Sequence, residues 1–123
     1  MKPSHALATD LDGTLIPLDG NTRNRAHLET LAEELAQNEV DLVYVTGRHL
    51  ESVLRVAKEK GLPRPQWIIC DVGASIYRGQ LGGGWNYSTA DAYQAHLSKQ
   101  VTAMRIEQLR ADLQNIDGLR LQE

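Results

Sequence analysis

Three short apolar segments, separated by two amphipathic ones, constrain this chain more than anything else in it. His5 to Leu11, with Ala6, Leu7 and Ala8 leading into acidic residues, suits a buried strand ending at Asp10. Val40 to Val45 is β-branched and apolar and reads as a second buried strand. Trp67 to Cys70 reads as a third. Between the first two, Leu28, Leu31, Ala32, Leu35 and Ala36 recur at three- and four-residue spacing. They make one apolar face of a helix that Thr22 can cap and that runs to about Asn38. Between the second and third, Leu50, Val53, Leu54 and Ala57 do the same over Leu50 to Lys60. Gly61 sits at the left-handed cap position, and Pro63 prevents continuation. Two successive βαβ units predict a parallel sheet with right-handed crossovers. Gly13, Pro17 and Gly20 make the stretch after the first strand a loop or small hairpin.

The pattern changes after Cys70. Gly73, Gly79 and Gly82 to Gly84 break the chain into turns around a small strand at Ser75 to Tyr77. Ser88 or Thr89 then opens a helical stretch to about Asn115, with a break near Lys99. Tyr93, Leu97 and Val101 form one spaced set, and Ile106, Leu109, Leu113 and Ile116 a second. Gly118 stops the helix, and Leu119 to Leu121 begins a strand.

At 123 residues, 41% hydrophobic and 24% charged, the chain has one modest core and is not of disordered composition. A net charge of −3 without a Lys/Arg cluster argues against a nucleic-acid partner. The lone Cys70 excludes an intrachain disulfide and a cysteine-based zinc site. Apolar runs fall far short of the roughly 20 residues of a membrane helix, and no signal-peptide core precedes Asp10. The expectation is a cytoplasmic protein with no membrane partner.

Two polar sites fall at the C-terminal ends of strands, the edge where open α/β sheets bind ligands. The first is Asp10-Leu11-Asp12-Gly13-Thr14. Two carboxylates at one strand end repel each other unless a cation sits between them. Mg²⁺ suits this site because it needs few protein ligands and keeps waters and phosphate oxygens. A carboxylate can also act as a nucleophile, with its neighbour as acid and base. The second site is Thr46-Gly47-Arg48, where a hydroxyl, a glycine N–H and a helix N-terminus suit a phosphate.

Asp10 to Leu15 resembles the first motif of the haloacid dehalogenase (HAD) superfamily of phosphatases, and Thr46-Gly47-Arg48 its second. Ile68 to Tyr77 with Trp85 is most similar to the sucrose-phosphate phosphatase branch, whose chain continues into a type-IIB (C2-type) α/β cap. The resemblance implies an α/β fold: the N-terminal part of a HAD-type Rossmann-like core over residues 1–80, then an incomplete cap segment over 81–123. It implies Asp10 as nucleophile and Asp12 as general acid/base. Mg²⁺ would be held by the Asp10 side chain and the Asp12 main-chain carbonyl. Thr46, Gly47 and Arg48 would bind the phosphoryl group of a small phosphorylated sugar, sucrose 6-phosphate first.

The family's third-motif Lys or Arg and fourth-motif acidic pair have no counterpart after Lys99, so the match covers about the first half of a member. The expectation is therefore a fragment, a truncated product or a remnant domain. The rival reading is a non-catalytic half-domain that keeps the fold and metal or phosphate binding without turnover, with completion by another chain left open. A receiver-like module phosphorylated on Asp10 ranks last, for want of a late lysine. Of the four histidines none has ligand-like spacing, and Cys70 reads as a small buried hydrophobe. With the later core strands missing, the first strand should be left as a sheet edge, which predicts a homodimer or higher oligomer.

Overall fold

The computed structural model describes residues 5–17, 24–100 and 103–119. The strands are β1 (His5–Thr9), β2 (Val40–Val45), β3 (Trp67–Cys70), β4 (Ser75–Gly79) and β5 (Tyr87–Thr89). The helices are α1 (Asn24–Gln37), α2 (Leu50–Lys60), α3 (Asp91–Gln100) and α4 (Ala103–Gln114), with a 3₁₀ turn at Asp71–Gly73. The five strands form one sheet in the order β1-β2-β3-β4-β5.

The expected parallel layer is present. β1 pairs with β2 in the register His5 with Val40 through Thr9 with Tyr44, and β2 pairs with β3 from Val43 opposite Trp67 to Val45 opposite Ile69. Every strand of this layer therefore ends at the same edge. Leu42, Tyr44, Ile68 and Cys70 point into the core, where they meet Val53 and Ala57 of α2, Leu28 of α1, and Leu11, Leu15 and Leu62. Each fully buried aliphatic side chain contributes about 1.5–3 kcal/mol. The α2 boundaries follow from chemistry that is local to the chain. Gly61 adopts φ +65° and its N–H donates to the Ala57 and Lys58 carbonyls, and the Leu62 N–H then closes on Ala57 at 2.9 Å. The Tyr44 hydroxyl donates to the Pro63 carbonyl, and burial pushes the phenol far above its ordinary range.

Two expectations are corrected. β1 is not buried: His5 to Ala8 are all exposed, and among the described residues the strand pairs with β2 on one side only. The small strand expected at Ser75 to Tyr77 is β4, which turns back antiparallel to β3 in the register Trp67 with Arg78 to Cys70 with Ser75. Ser88 and Thr89 do not open a helix. They belong to β5, which pairs antiparallel with β4, and the Ala90 N–H still donates to the Ile76 carbonyl at 2.9 Å. The helix starts only at Asp91. The cap expected at Thr22 and the strand expected through Arg120 and Leu121 lie outside the described residues.

The chain divides into two compact units, Met1–Ala90 and Asp91–Glu123. The second contains α3 and α4. On α4 the spaced set Ile106, Leu109 and Leu113 is exposed.

Candidate active site

β1 delivers Asp10 and β2 delivers Thr46 to the same edge. Thr9 stands opposite Tyr44, so Asp10 is one residue and Thr46 two residues beyond that point. Leu11, fully buried, anchors the chain as it leaves the strand. The turn behind it is tight: Ile16 and Thr14 N–H groups donate to the Leu11 carbonyl at 2.8 and 3.1 Å, and Gly13 N–H donates to the Ile16 carbonyl at 2.7 Å. Gly13 holds φ +78°, a conformation that glycine adopts without steric cost. The buried Leu11 thus sits between two exposed aspartates.

Asp10 Oδ1 accepts the Leu11 N–H at 2.7 Å, which fixes the side chain's orientation at the strand end. The Asp12 carboxylate is gripped by Arg48. Arg48 Nε donates to Oδ2 at 2.8 Å and Nη2 to Oδ1 at 2.7 Å, a two-pronged pair. The third guanidinium nitrogen, Nη1, donates to Ser52 Oγ at 2.8 Å, one helical turn along α2. These hydrogen bonds hold the Asp12 carboxyl below the ordinary aspartate range, against a smaller opposing effect of partial burial, and they keep Arg48 protonated.

Thr46 is buried, and its Oγ1 accepts the Arg48 N–H at 3.1 Å, shaping the turn into α2. Its own N–H is spent on the Ile69 carbonyl at 2.9 Å, and the Arg48 carbonyl accepts the Asp71 N–H at 3.1 Å. Gly47 is exposed, and a Cβ there would meet only Val72 Cγ2 at 3.7 Å, so packing does not require the glycine. Asp71 and Val72, at the end of β3, both adopt left-handed backbone, at φ +53° and +56°. Each costs about 1–2 kcal/mol for an L-residue, and Val72 is left 89% exposed beside Gly47. Strain concentrates at the third strand end of this edge.

The expected site residues are thus brought together in part. Asp12, Thr46, Arg48 and, through the turn, Gly47 form one hydrogen-bonded unit, while Asp10 stands on the adjoining strand end. Ser52 and Asp71 escaped the sequence reading. The spacing of four between Arg48 and Ser52 on a helix start was the available signal for the first; nothing in the sequence announces the second. Among the described residues no three His, Cys, Asp or Glu side chains cluster to hold a metal.

The model of the family described as sucrose-6F-phosphate phosphohydrolase matches residues 3–123. The chain belongs to this family. Its fold is that of the sucrose-phosphatase of Synechocystis sp. PCC6803, solved with sucrose and phosphate, at a TM-score of 0.78 and 24% identity; the match covers all of this chain and 44% of that one. A haloacid dehalogenase-like hydrolase protein of Bacillus subtilis aligns at a TM-score of 0.68 and 21% identity, over 94% of this chain and 47% of that one. In sequence, the chain is 51% identical over 74 residues to a glucosylglycerol-phosphate synthase of Pseudomonas anguilliseptica, covering 59% of this chain and 9% of that protein. It is 36% identical over 78 residues to a mannosylfructose-phosphate phosphatase of Agrobacterium fabrum, covering 63% of this chain and 30% of that protein. The chain therefore spans less than half the length of each of these relatives.

Proposed function

We propose that this sucrose-6F-phosphate phosphohydrolase family chain carries the nucleophile half of a phosphatase site for the phosphate monoester of a glycoside, with sucrose 6-phosphate as the first substrate. The observation that carries the proposal is the fork between Arg48 and Asp12, which ties the two candidate motifs, 36 residues apart, to one edge of the sheet. The relatives named for mannosylfructose phosphate and glucosylglycerol phosphate support the glycoside class.

In the proposed reaction an Asp10 carboxylate oxygen attacks phosphorus, and the bond from phosphorus to the sugar oxygen breaks. Asp12 protonates the departing oxygen. Asp12, now a carboxylate, takes a proton from water as that water attacks the aspartyl-phosphate, and inorganic phosphate leaves with Asp10 restored. Thr46 and Gly47 bind phosphoryl oxygens at the start of α2. Arg48 favours the carboxylate form of Asp12, which the second step needs. A phosphoryl group that draws the guanidinium to itself would release Asp12 to hold the proton of the first step.

The donor set also suits Mg²⁺ in its chemistry. Asp10 and the Asp12 main-chain carbonyl are hard oxygen ligands, and Mg²⁺ takes the rest of its shell from waters and phosphate. When bound, it offsets negative charge on the transferring group. With so few protein ligands in this chain, binding should be weak.

That shortage of acidic side chains favours a second reading, in which this chain keeps the fold and phosphate binding and turns over only when another polypeptide supplies the missing groups. Phosphate release from sucrose 6-phosphate decides between them. Activity that Asp10→Asn abolishes, and that Asp12→Asn lowers by roughly 10²–10⁴-fold, supports the phosphatase. Phosphate binding without release supports the second reading, and full activity in Asp10→Asn sinks the role of Asp10.

The proposal extends to assembly and compartment. Among the described residues β1 leaves one side unpaired beside the exposed Ala6 and Leu7, and an edge so poorly protected favours pairing with a second copy across a two-fold axis. Light scattering at micromolar concentration should show a dimer or higher oligomer; a cooperatively melting monomer contradicts it. Among the described residues no helix is long and apolar enough to cross a membrane, which fits the proposed cytoplasmic location.

A further inference from the structure

The opposite end of the sheet carries a cavity that the phosphatase reading does not use. It has a volume of about 300 Å³ and lies among Asp41, Arg64, Gln66, Trp67, Arg78 and Gln80, with the turn at residues 81–83 along one side. Asp41 is at the start of β2 and Thr46 just past its end, so five residues of strand, about 16 Å, separate the cavity from the candidate active site.

Two arginines line it. Arg64 is packed tightly. A Cβ on Gly79 would come within 3.3 Å of its Nη2, so the glycine is what leaves room for the guanidinium. Nη2 donates to the Gln80 carbonyl at 3.1 Å and the guanidinium also hydrogen-bonds the Tyr87 phenol, but the Nε–H is buried with no acceptor. An unsatisfied donor on a charged group is costly and calls for an explanation. Arg78 lies over the Trp67 ring, its Cζ 5.3 Å from the centroid. Stacking holds a guanidinium by its face and leaves its in-plane N–H groups to hydrogen-bond. Neither arginine pairs with a carboxylate: the ion pairs among the described residues are Arg48 with Asp12 and Arg110 with Glu107. Gln66 presents Oε1 to the Leu42 N–H at 2.7 Å, which leaves its amide N–H₂ as a further donor.

We propose that this cavity binds a small metabolite carrying a phosphate or carboxylate group beside hydroxyls. The Arg64 and Arg78 guanidinium groups and the Gln66 amide would take the oxyanion. Asp41, which cannot accept an anion, would accept hydrogen bonds from the hydroxyls. The cavity volume sits at the lower end of ligand sites and suits a molecule of a few carbons. This is a second site on the fold, independent of turnover at Asp10.

The test is titration of the full chain with glycerol 3-phosphate, followed by NMR of the arginine Nε–H signals. The expected result is a saturable shift of the Arg64 and Arg78 signals at millimolar concentration. Arg78→Gln should weaken binding at least tenfold, and Asp10→Asn should leave it unchanged. Arg64→Gln should act like Arg78→Gln; if it fails to fold, the exposed Arg78 position carries the test alone. Two results overturn the proposal. One is the absence of any saturable shift at Arg64 up to tens of millimolar. The other is binding that is insensitive to Arg78→Gln but lost with Thr46→Ala, which would put the ligand at the other end of the sheet.

Discussion

Replacing Arg48 with methionine separates what its fork does for Asp12 from what its stem does for packing. The apolar stem is kept in length, while three hydrogen bonds are lost, at 2.8 and 2.7 Å to Asp12 and 2.8 Å to Ser52. The side chains of the ion pair are 33% and 46% exposed, so solvent screening holds its net contribution below about 1 kcal/mol even in this favourable geometry. Ser52 is buried and loses a charged donor, worth about another 1 kcal/mol. The variant should therefore be destabilised by about 1–2 kcal/mol at neutral pH in urea unfolding. The pH dependence identifies the Asp12 share. The fork lowers the folded-state Asp12 value below its unfolded reference of 3.8. Its stabilisation is therefore full above that reference and is lost as pH falls through the lowered folded value. The stability gap between wild type and Arg48→Met should narrow over that acid window, leaving the Ser52 share. In carboxyl-carbon NMR titration Asp12 should move up toward 3.8 in the variant, and Arg48→Lys, which keeps the charge but not the fork, should fall between. An Asp12 titration unchanged by Arg48→Met, or a gap that stays constant through the acid window, refutes the reasoning.

Further outcomes follow from single contacts. Tyr44→Phe removes the hydroxyl that donates to the Pro63 carbonyl and should cost about 1–2 kcal/mol in thermal or urea unfolding, with the sheet intact by circular dichroism. Gly61→Ala forces an L-residue to φ +65° at the α2 cap and should cost about 1 kcal/mol by the same measurement. Burial, and then the neighbouring Asp71, push the Cys70 thiol up to about 11, so alkylation at pH 8 should be far slower than for a free thiol until the protein is unfolded. Calorimetry should find Mg²⁺ binding weak and further reduced by Asp10→Asn; tight binding by the isolated chain would mean that another ligand has been overlooked.

The sequence reading succeeded where the determining chemistry is local. Leu50 to Lys60 was legible because the apolar spacing, Gly61 and Pro63 all lie within one segment, and the helix has those bounds. β2 and β3 were legible as β-branched and apolar runs, and the sheet edge at β1 followed from the strands that the family match lacks. β5 was missed because Ser88 and Thr89 are as suited to an N-cap as to an edge strand; what decides is pairing with β4, a contact with Tyr77 and Arg78 that no local pattern reveals. The exposure of β1 was misread for the same reason, since Ala6 and Leu7 are apolar whether or not a neighbour covers them. In the site, the residue types were legible and the partners were not. Arg48 was read as a phosphate ligand, and its fork to Asp12 depends on two strand ends being brought side by side. The left-handed backbone at Asp71 and Val72 has no sequence signal, because glycine would have been the expected residue at either position.

The central claim is that Asp10 is positioned to accept a phosphoryl group. Beryllofluoride, a mimic of that group that attaches to a nucleophilic carboxylate, tests this directly by fluorine NMR in the presence of Mg²⁺. The account predicts a protein-bound fluorine signal for the wild-type chain that is absent in Asp10→Asn and weakened in Thr46→Ala. A bound signal of equal strength in Asp10→Asn, or none in the folded wild-type chain, would contradict it.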